Sequence, residues 1–188
     1  MMNKLAVLVF LLTVATAAQS STVYIDPVSQ TVNLGDTVSI ALKGQDFSQT
    51  IEGGGINLSF DPTVLQLTNV TVDDTTWEFF TTPGTINNTT GHLTDLTFSS
   101  FAGNSGSFSI AQITFQATGL GTSPLVLTES TLNPFASGGS LLTPAVSFAN
   151  AEIQAVPLPA AMWLFFSGMG TLSFFGKRKA NPPKANIA

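Results

Sequence analysis

The groups best suited to moving a proton or holding a metal ion in this chain are one imidazole, His92, and eleven carboxylates; there is no cysteine. Thiol nucleophiles and thiolate metal sites are thereby excluded. A Ser-His-Asp system would have to use His92, which follows Gly91 at the start of a strand-like stretch, and no nucleophile-elbow motif accompanies it. A glycosidase needs two carboxylates facing each other across a cleft. The densest acidic group, Asp73-Asp74 with Glu78, falls in one short loop and reads as a solvated turn. The chain is therefore read as non-enzymatic. Asp73, Asp74 and Glu78, or Asp46 with Glu52, could offer hard oxygen ligands to calcium, without EF-hand spacing. No other cofactor is indicated. Trp77, Phe79 and Phe80 could form a sugar-stacking platform or a cluster at the core and its rim.

Charge narrows the partners. Between residues 18 and 156 there is one cation, Lys43, against all eleven acids, a formal −10; the whole chain carries −5. Such a body repels phosphate backbones and anionic lipid, which excludes nucleic acid and leaves divalent cations and basic partners. A body of this length buries enough apolar surface to fold without disulfides, so the missing cysteines are compatible with export.

The elements that must position these groups are strands. Val38, Ile40 and Leu42 alternate with polar or small residues after the turn Asn33-Leu34-Gly35-Asp36. Ile56, Leu58 and Phe60 form the next inward row, after Glu52-Gly53-Gly54-Gly55, where the backbone can bend or be approached closely. Val64 to Val72 continues the pattern, and Thr81 to Gly91 reads as a long polar loop. Leu93, Leu96 and Phe98 mark another strand; Gly103-Asn104-Ser105-Gly106 reads as a turn. Ala111, Ile113, Phe115 and Ala117 give the cleanest alternation, and Pro124 to Glu129 and Val146 to Phe148 follow. At Asn150 the alternation slips phase before Ile153, which calls for a turn or bulge. The pattern predicts one all-β domain over residues 22–155, an antiparallel sandwich of about nine strands. Phe60, Phe98 and Phe115 point inward in this phase.

Gly55-Ile56-Asn57-Leu58-Ser59-Phe60-Asp61-Pro62-Thr63-Val64-Leu65 and Ile110-Ala111-Gln112-Ile113-Thr114-Phe115-Gln116-Ala117 resemble the "SFDPxVL" turn and "LATITFKA" strand of cohesin-type domains. That resemblance implies a nine-stranded jelly roll, related also to certain carbohydrate-binding modules. Cohesins bind dockerin helices through one sheet face. Where that face tends to present polar side chains, this chain has Gly53-Gly54-Gly55, so the fold is carried over and the partner is not. The expected ligand is a protein outside the cell, with a matrix polysaccharide as the alternative.

The two ends are addresses rather than body. Lys4, the apolar run Leu5 to Leu12 and Ala15-Thr16-Ala17 make a signal-peptidase substrate over residues 1–17. Ala160 to Gly176 is 17 uncharged residues, about 25 Å as a helix against a hydrocarbon core of about 30 Å, and reads as one transmembrane helix. Trp163 suits the outer interface, and Lys177-Arg178-Lys179 should stay cytoplasmic, with residues 181–188 as a tail. Ahead of the span, Val156-Pro157-Leu158-Pro159 should be extended and open to a processing enzyme. Residues 156–180, with Ser167-Gly168 inside the apolar part, resemble the "VPLPA" variant of PEP-CTERM sorting signals. That resemblance implies processing by an exosortase after export through the inner membrane of a Gram-negative bacterium. The final destination would be the cell surface or an exopolysaccharide matrix.

Overall fold

The computed structural model describes residues 20–158. The expected signal peptide, the transmembrane helix and the basic stop lie outside them, as do Pro159, Trp163, Gly168, Lys177, Arg178 and Lys179. The described residues form twelve strands and no helix: β1 Thr22–Asp26, β2 Ser29–Asn33, β3 Thr37–Ser59, β4 Leu65–Val72, β5 Phe80–Thr82, β6 Thr85–Asn87, β7 His92–Ala117, β8 Gly121–Glu129, β9 Ala136–Ser137, β10 Ser140–Leu141, β11 Ser147–Ala149 and β12 Ala151–Val156.

Two long strands, β3 and β7, run antiparallel and bend together, so each contributes to both layers of a sandwich. Their halves Thr37 to Gly44 and Phe108 to Gln116 lie in the first layer, ordered β11-β1-β3-β7-β4. The halves Gly53 to Ser59 and His92 to Ser99 lie in the second, where β5 and β6 flank β7, and β8, β12 and β2 extend the sheet beyond β3. The short β9-β10 hairpin touches β3 at Gly53. Both faces turned toward each other are apolar, as the alternation requires: Val38, Ile40, Leu42, Ile113 and Phe115 from one layer meet Ile56, Leu58, Phe98 and Leu127 from the other, all buried.

One glycine cluster is where the expectation needs correcting. Gly103 to Gly106 does not reverse the chain but lies within a continuous strand, whereas Gly53 to Gly55 are closely approached by neighbouring chain, as expected. The register between β3 and β7 shifts repeatedly from Gly44 to Gly53, and Gly103 and Gly106 take positive φ of 68° and 73°. These are bulges, which bend a strand without ending it. The stretch 81–91 is likewise not all loop, because β5 and β6 pair with β7 there. The first and last strands of the described residues behave as a matched pair. β1 and β11 lie parallel in the first layer, β2 and β12 parallel in the second, and Asp26-Pro27 and Asn150 are the points of crossing. The phase slip at Asn150 thus becomes a change of layer, with Asn150 Oδ1 accepting the Leu127 amide at 3.1 Å.

Candidate functional site: an aromatic groove at the bend

Of the three neighbouring aromatics, the chain splits one from two. Asp73 Oδ1 accepts the amides of Thr75 and Thr76 at 3.2 Å each, and the Trp77 amide donates to the Asp73 carbonyl at 3.0 Å. This tight turn swings Trp77 fully inside. Its ring centroid is 4.5 Å from Phe98 and 5.2 Å from Phe108, and its Nε1–H donates to the Ser109 carbonyl at 2.9 Å. Trp77 is core. Phe79 and Phe80 emerge on the outside, 57% and 54% exposed, and are joined by Phe101 at 77%. Phe79 and Phe101 pack with centroids 3.9 Å apart and planes tilted by 49°.

These rings border two adjoining hollows on the outer face of the second layer. One, of ≈ 290 Å³, is lined by Gly53, Gly54, Phe80, Asn133, Pro134 and Ala136 among others; its neighbour adds Ser100 and Phe101, and Phe79, Ser99 and Glu52 border both. The floor requires glycine. A Cβ on Gly53 would strike the Phe98 carbonyl oxygen, and one on Gly54 would stand 2.8 Å from the Phe135 ring. The wall opposite the aromatics is the loop after β8. Glu129 Oε1 accepts the Phe135 amide at 2.7 Å, and Ser130 Oγ accepts the amides of Leu132 and Asn133 at 3.2 Å.

A polar hub ties that wall to the floor. Asp95 takes φ of 57° where two residues of β7, Thr94 and Asp95, oppose one of β3, Asn57, which explains why the inward row reads Leu93, Leu96, Phe98. Its amide donates to Asn57 Oδ1 at 2.8 Å, and its carboxylate accepts the Ser130 hydroxyl at 2.6 Å.

Of the carboxylates named as calcium candidates, Asp73 and Glu78 accept hydrogen bonds from their own neighbourhood. Burial works against ionisation of Asp73, but the hydroxyls and amide of Thr75 and Thr76 outweigh it and hold the carboxyl below its ordinary value. Glu78 is held below the ordinary value by its own backbone amide and by Ser100 and Phe101; its Oε1 accepts the Ser100 hydroxyl and Phe101 amide, both at 3.0 Å. Glu78 therefore braces Phe101. Asp74 is exposed. Among the described residues no three His, Cys, Asp or Glu side chains gather as a metal group. His92 is exposed, its Nδ1 2.7 Å from the Thr90 carbonyl. Lys43 is paired with Asp26. Among the described residues the one charged side chain bordering the groove is Glu52, whose carboxylate accepts the Gly139 amide at 3.2 Å.

Sequence reasoning missed Phe101 and the Glu52–Gly54 floor as parts of one site. The aromatic cluster and the glycine run were both visible, but only the paired bend brings them together.

No protein-family model and no curated protein sequence matches the chain. Solved structures do. A non-cellulosomal cohesin from the archaeon Archaeoglobus fulgidus superposes with a TM-score of 0.59 at 15% identity, covering 78% of this chain and 98% of that one. The third ScaC cohesin of Acetivibrio cellulolyticus, solved in complex with the ScaB dockerin, gives 0.59 at 17% identity, covering 72% and 99%. The seventh ScaB type I cohesin of Pseudobacteroides cellulosolvens gives 0.55 at 20%, covering 74% and 94%. The fold is cohesin-like. Within this cohesin-like sandwich the groove occupies the sheet formed by β5, β7, β3 and β8, at the end where β3 and β7 bend.

Val156, first residue of the Val-Pro-Leu-Pro motif, closes β12 opposite Asn33 of β2, and Pro157 and Leu158 follow it exposed.

Proposed function

We propose that this chain is an exported, non-enzymatic interaction module whose cohesin-like body docks a protein partner at the Phe79–Phe101 groove. The observation that carries this reading is the outward placement of Phe79, Phe80 and Phe101 around a glycine floor. A chain that buries Trp77, Phe98, Phe115 and Phe135 almost completely leaves these three in water. Exposed aromatics clustered beside a hollow are the usual anchors of protein interfaces. Charge selects the partner further. With Lys43 paired and Glu52 at the rim, the groove suits a segment that brings an apolar side chain flanked by Lys or Arg. A precedent for a protein ligand on this fold is the dockerin seen with the ScaC cohesin. Calcium has no assigned place in this reading.

The matrix polysaccharide remains the second reading because phenylalanines beside a polar rim also stack on sugars. The 49° tilt between Phe79 and Phe101 gives no flat two-ring platform for successive sugar units, which places this reading second.

Delivery follows from the ends. Signal peptidase removes residues 1–17, residues 160–176 hold the chain transiently in the inner membrane, and an exosortase cuts near Val156 to Pro159, freeing the body to the surface or matrix of a Gram-negative cell. The VPLPA-like motif, the apolar run and Lys177-Arg178-Lys179 support this route.

Retention tests the binding half. Wild-type and doubly substituted Phe79→Ser, Phe101→Ser chains are exposed to isolated extracellular matrix before and after protease or glycosidase digestion of that matrix. Binding should vanish with the double substitution and with protease. Binding that survives protease and is lost to glycosidase would refute the protein reading and leave the sugar.

A further inference from the structure

The pole opposite the groove carries a second surface. Gly121 of β8, Ala155 of β12 and Val32 of β2 lie in register across three neighbouring strands. One step further along, Leu120, Val156 and Asn33 share the same end of the sheet, and Leu34 follows Asn33 with its amide donating to the Val156 carbonyl at 2.8 Å. Leu34, Leu120 and Leu158 are 38%, 54% and 40% exposed. Three leucines thus ring the point where the chain leaves the sandwich. The carboxylate in the same turn, Asp36, accepts from Asn33 Nδ2 at 2.9 Å and stays exposed.

We infer that this pole rests on the lipid surface of the bilayer holding residues 160–176, with Leu34, Leu120 and Leu158 in its interface. The inference rests on the reading of that segment as a membrane span. Val156 is fixed by its hydrogen bond and strand pairing, so only Pro157, Leu158 and Pro159 separate the folded body from Ala160. Three extended residues reach about 10 Å at most. A body tethered that closely cannot tumble freely, and the end that faces the bilayer is the one bearing leucines. Leucine side chains partition favourably into the interface, while Asp36 disfavours anionic headgroups and directs the pole to zwitterionic lipid. The bend with its aromatic groove then points away from the membrane. In β7, Phe108 to Ala117 alone sets the two poles roughly 30 Å apart.

The absence of cysteine makes the test clean. Single substitutions Leu34→Cys, Leu120→Cys, Ser105→Cys at the bend and Ser167→Cys within the span carry an environment-sensitive fluorophore. Each signal-cleaved chain, with its C-terminal segment intact, is placed in phosphatidylcholine vesicles containing brominated lipid. Labels at 34 and 120 should be quenched several-fold more than the label at 105, and the label at 167 most of all. Strong quenching at 167 with labels at 34 and 120 no more quenched than at 105 overturns the pole assignment. Absence of quenching at 167 overturns the span, and the inference with it.

Discussion

The Leu34 amide donates to the Val156 carbonyl at 2.8 Å, so the first residue of the Val-Pro-Leu-Pro motif is also the last residue of the folded body. Strand β12 pairs with β8 on one side and β2 on the other, and it buries Ile153 and Ala155. A chain ending after Leu158 should therefore keep the cooperative thermal transition of the longer protein. A chain ending after Ala151 should lose it. Removing the two buried side chains alone costs about 3–5 kcal/mol, comparable to the whole margin of a small domain. Scanning calorimetry on the two truncations decides the matter.

Trp77 and Phe79 are two residues apart and should respond oppositely. Trp77→Ala empties a fully buried site against Phe98 and Phe108 and removes the hydrogen bond to the Ser109 carbonyl. The expected loss in urea unfolding is about 3–5 kcal/mol. Phe79→Ala, on the surface, should stay within about 0.5–1 kcal/mol of wild type. Equal losses would contradict the division between core and groove.

Asp95 holds a left-handed backbone and the Ser130 hydroxyl at once. Asn tolerates that backbone and keeps an acceptor, so Asp95→Asn should cost less than about 1 kcal/mol. Asp95→Val pairs β-branched strain with a lost hydrogen bond and should cost about 2–4 kcal/mol, measured by chemical denaturation.

Acid should weaken the fold in a defined direction. The carboxyls of Asp61, Asp73 and Glu78 are all held below their ordinary values: Asp61 by the Thr63 hydroxyl and amide, the others by the contacts described above. Groups with depressed folded values bind fewer protons folded than unfolded, so stability rises with pH through that interval. Their contribution is fully present above about pH 5 and is lost as pH falls through the ordinary carboxylate range near 4 and below. Melting temperature should be flat from pH 8 to pH 5 and fall beneath it. Substituting Asp61→Asn, Asp73→Asn and Glu78→Gln together should lower the plateau and flatten the fall.

Much of the sandwich was legible because one face of each strand is buried. The alternation from Ala111 to Ala117 and the turn at Asn33 to Asp36 appear in the structure where the pattern puts them. The bends were not legible. Gly103 to Gly106 carries the same local signal as a chain reversal, and the flexibility read at Gly53-Gly54-Gly55 does not say which way the chain goes; only the pairing of β3 with β7 across some fifty residues makes this region a set of bulges. Strand β2 was invisible because Ser29-Gln30-Thr31 has no apolar alternation; its parallel partner β12 holds it. The aromatic cluster was recognised, but the inward turn of Trp77 depends on the Asp73 cap, and Phe101 joins Phe79 only because the chain entering β5 pairs with β7 at Ser99.

The central claim is that the Phe79–Phe101 groove docks a protein. Its most direct test replaces Phe101, in the full chain on its producing cells, with a photo-crosslinking amino acid. A parallel chain carries the crosslinker at Gln112, exposed on the outer face of the first layer. The account predicts a discrete protein adduct from position 101 that disappears with Phe79→Asp, and none from position 112. Equal adducts at both positions, or an adduct at 101 indifferent to Phe79, would contradict it.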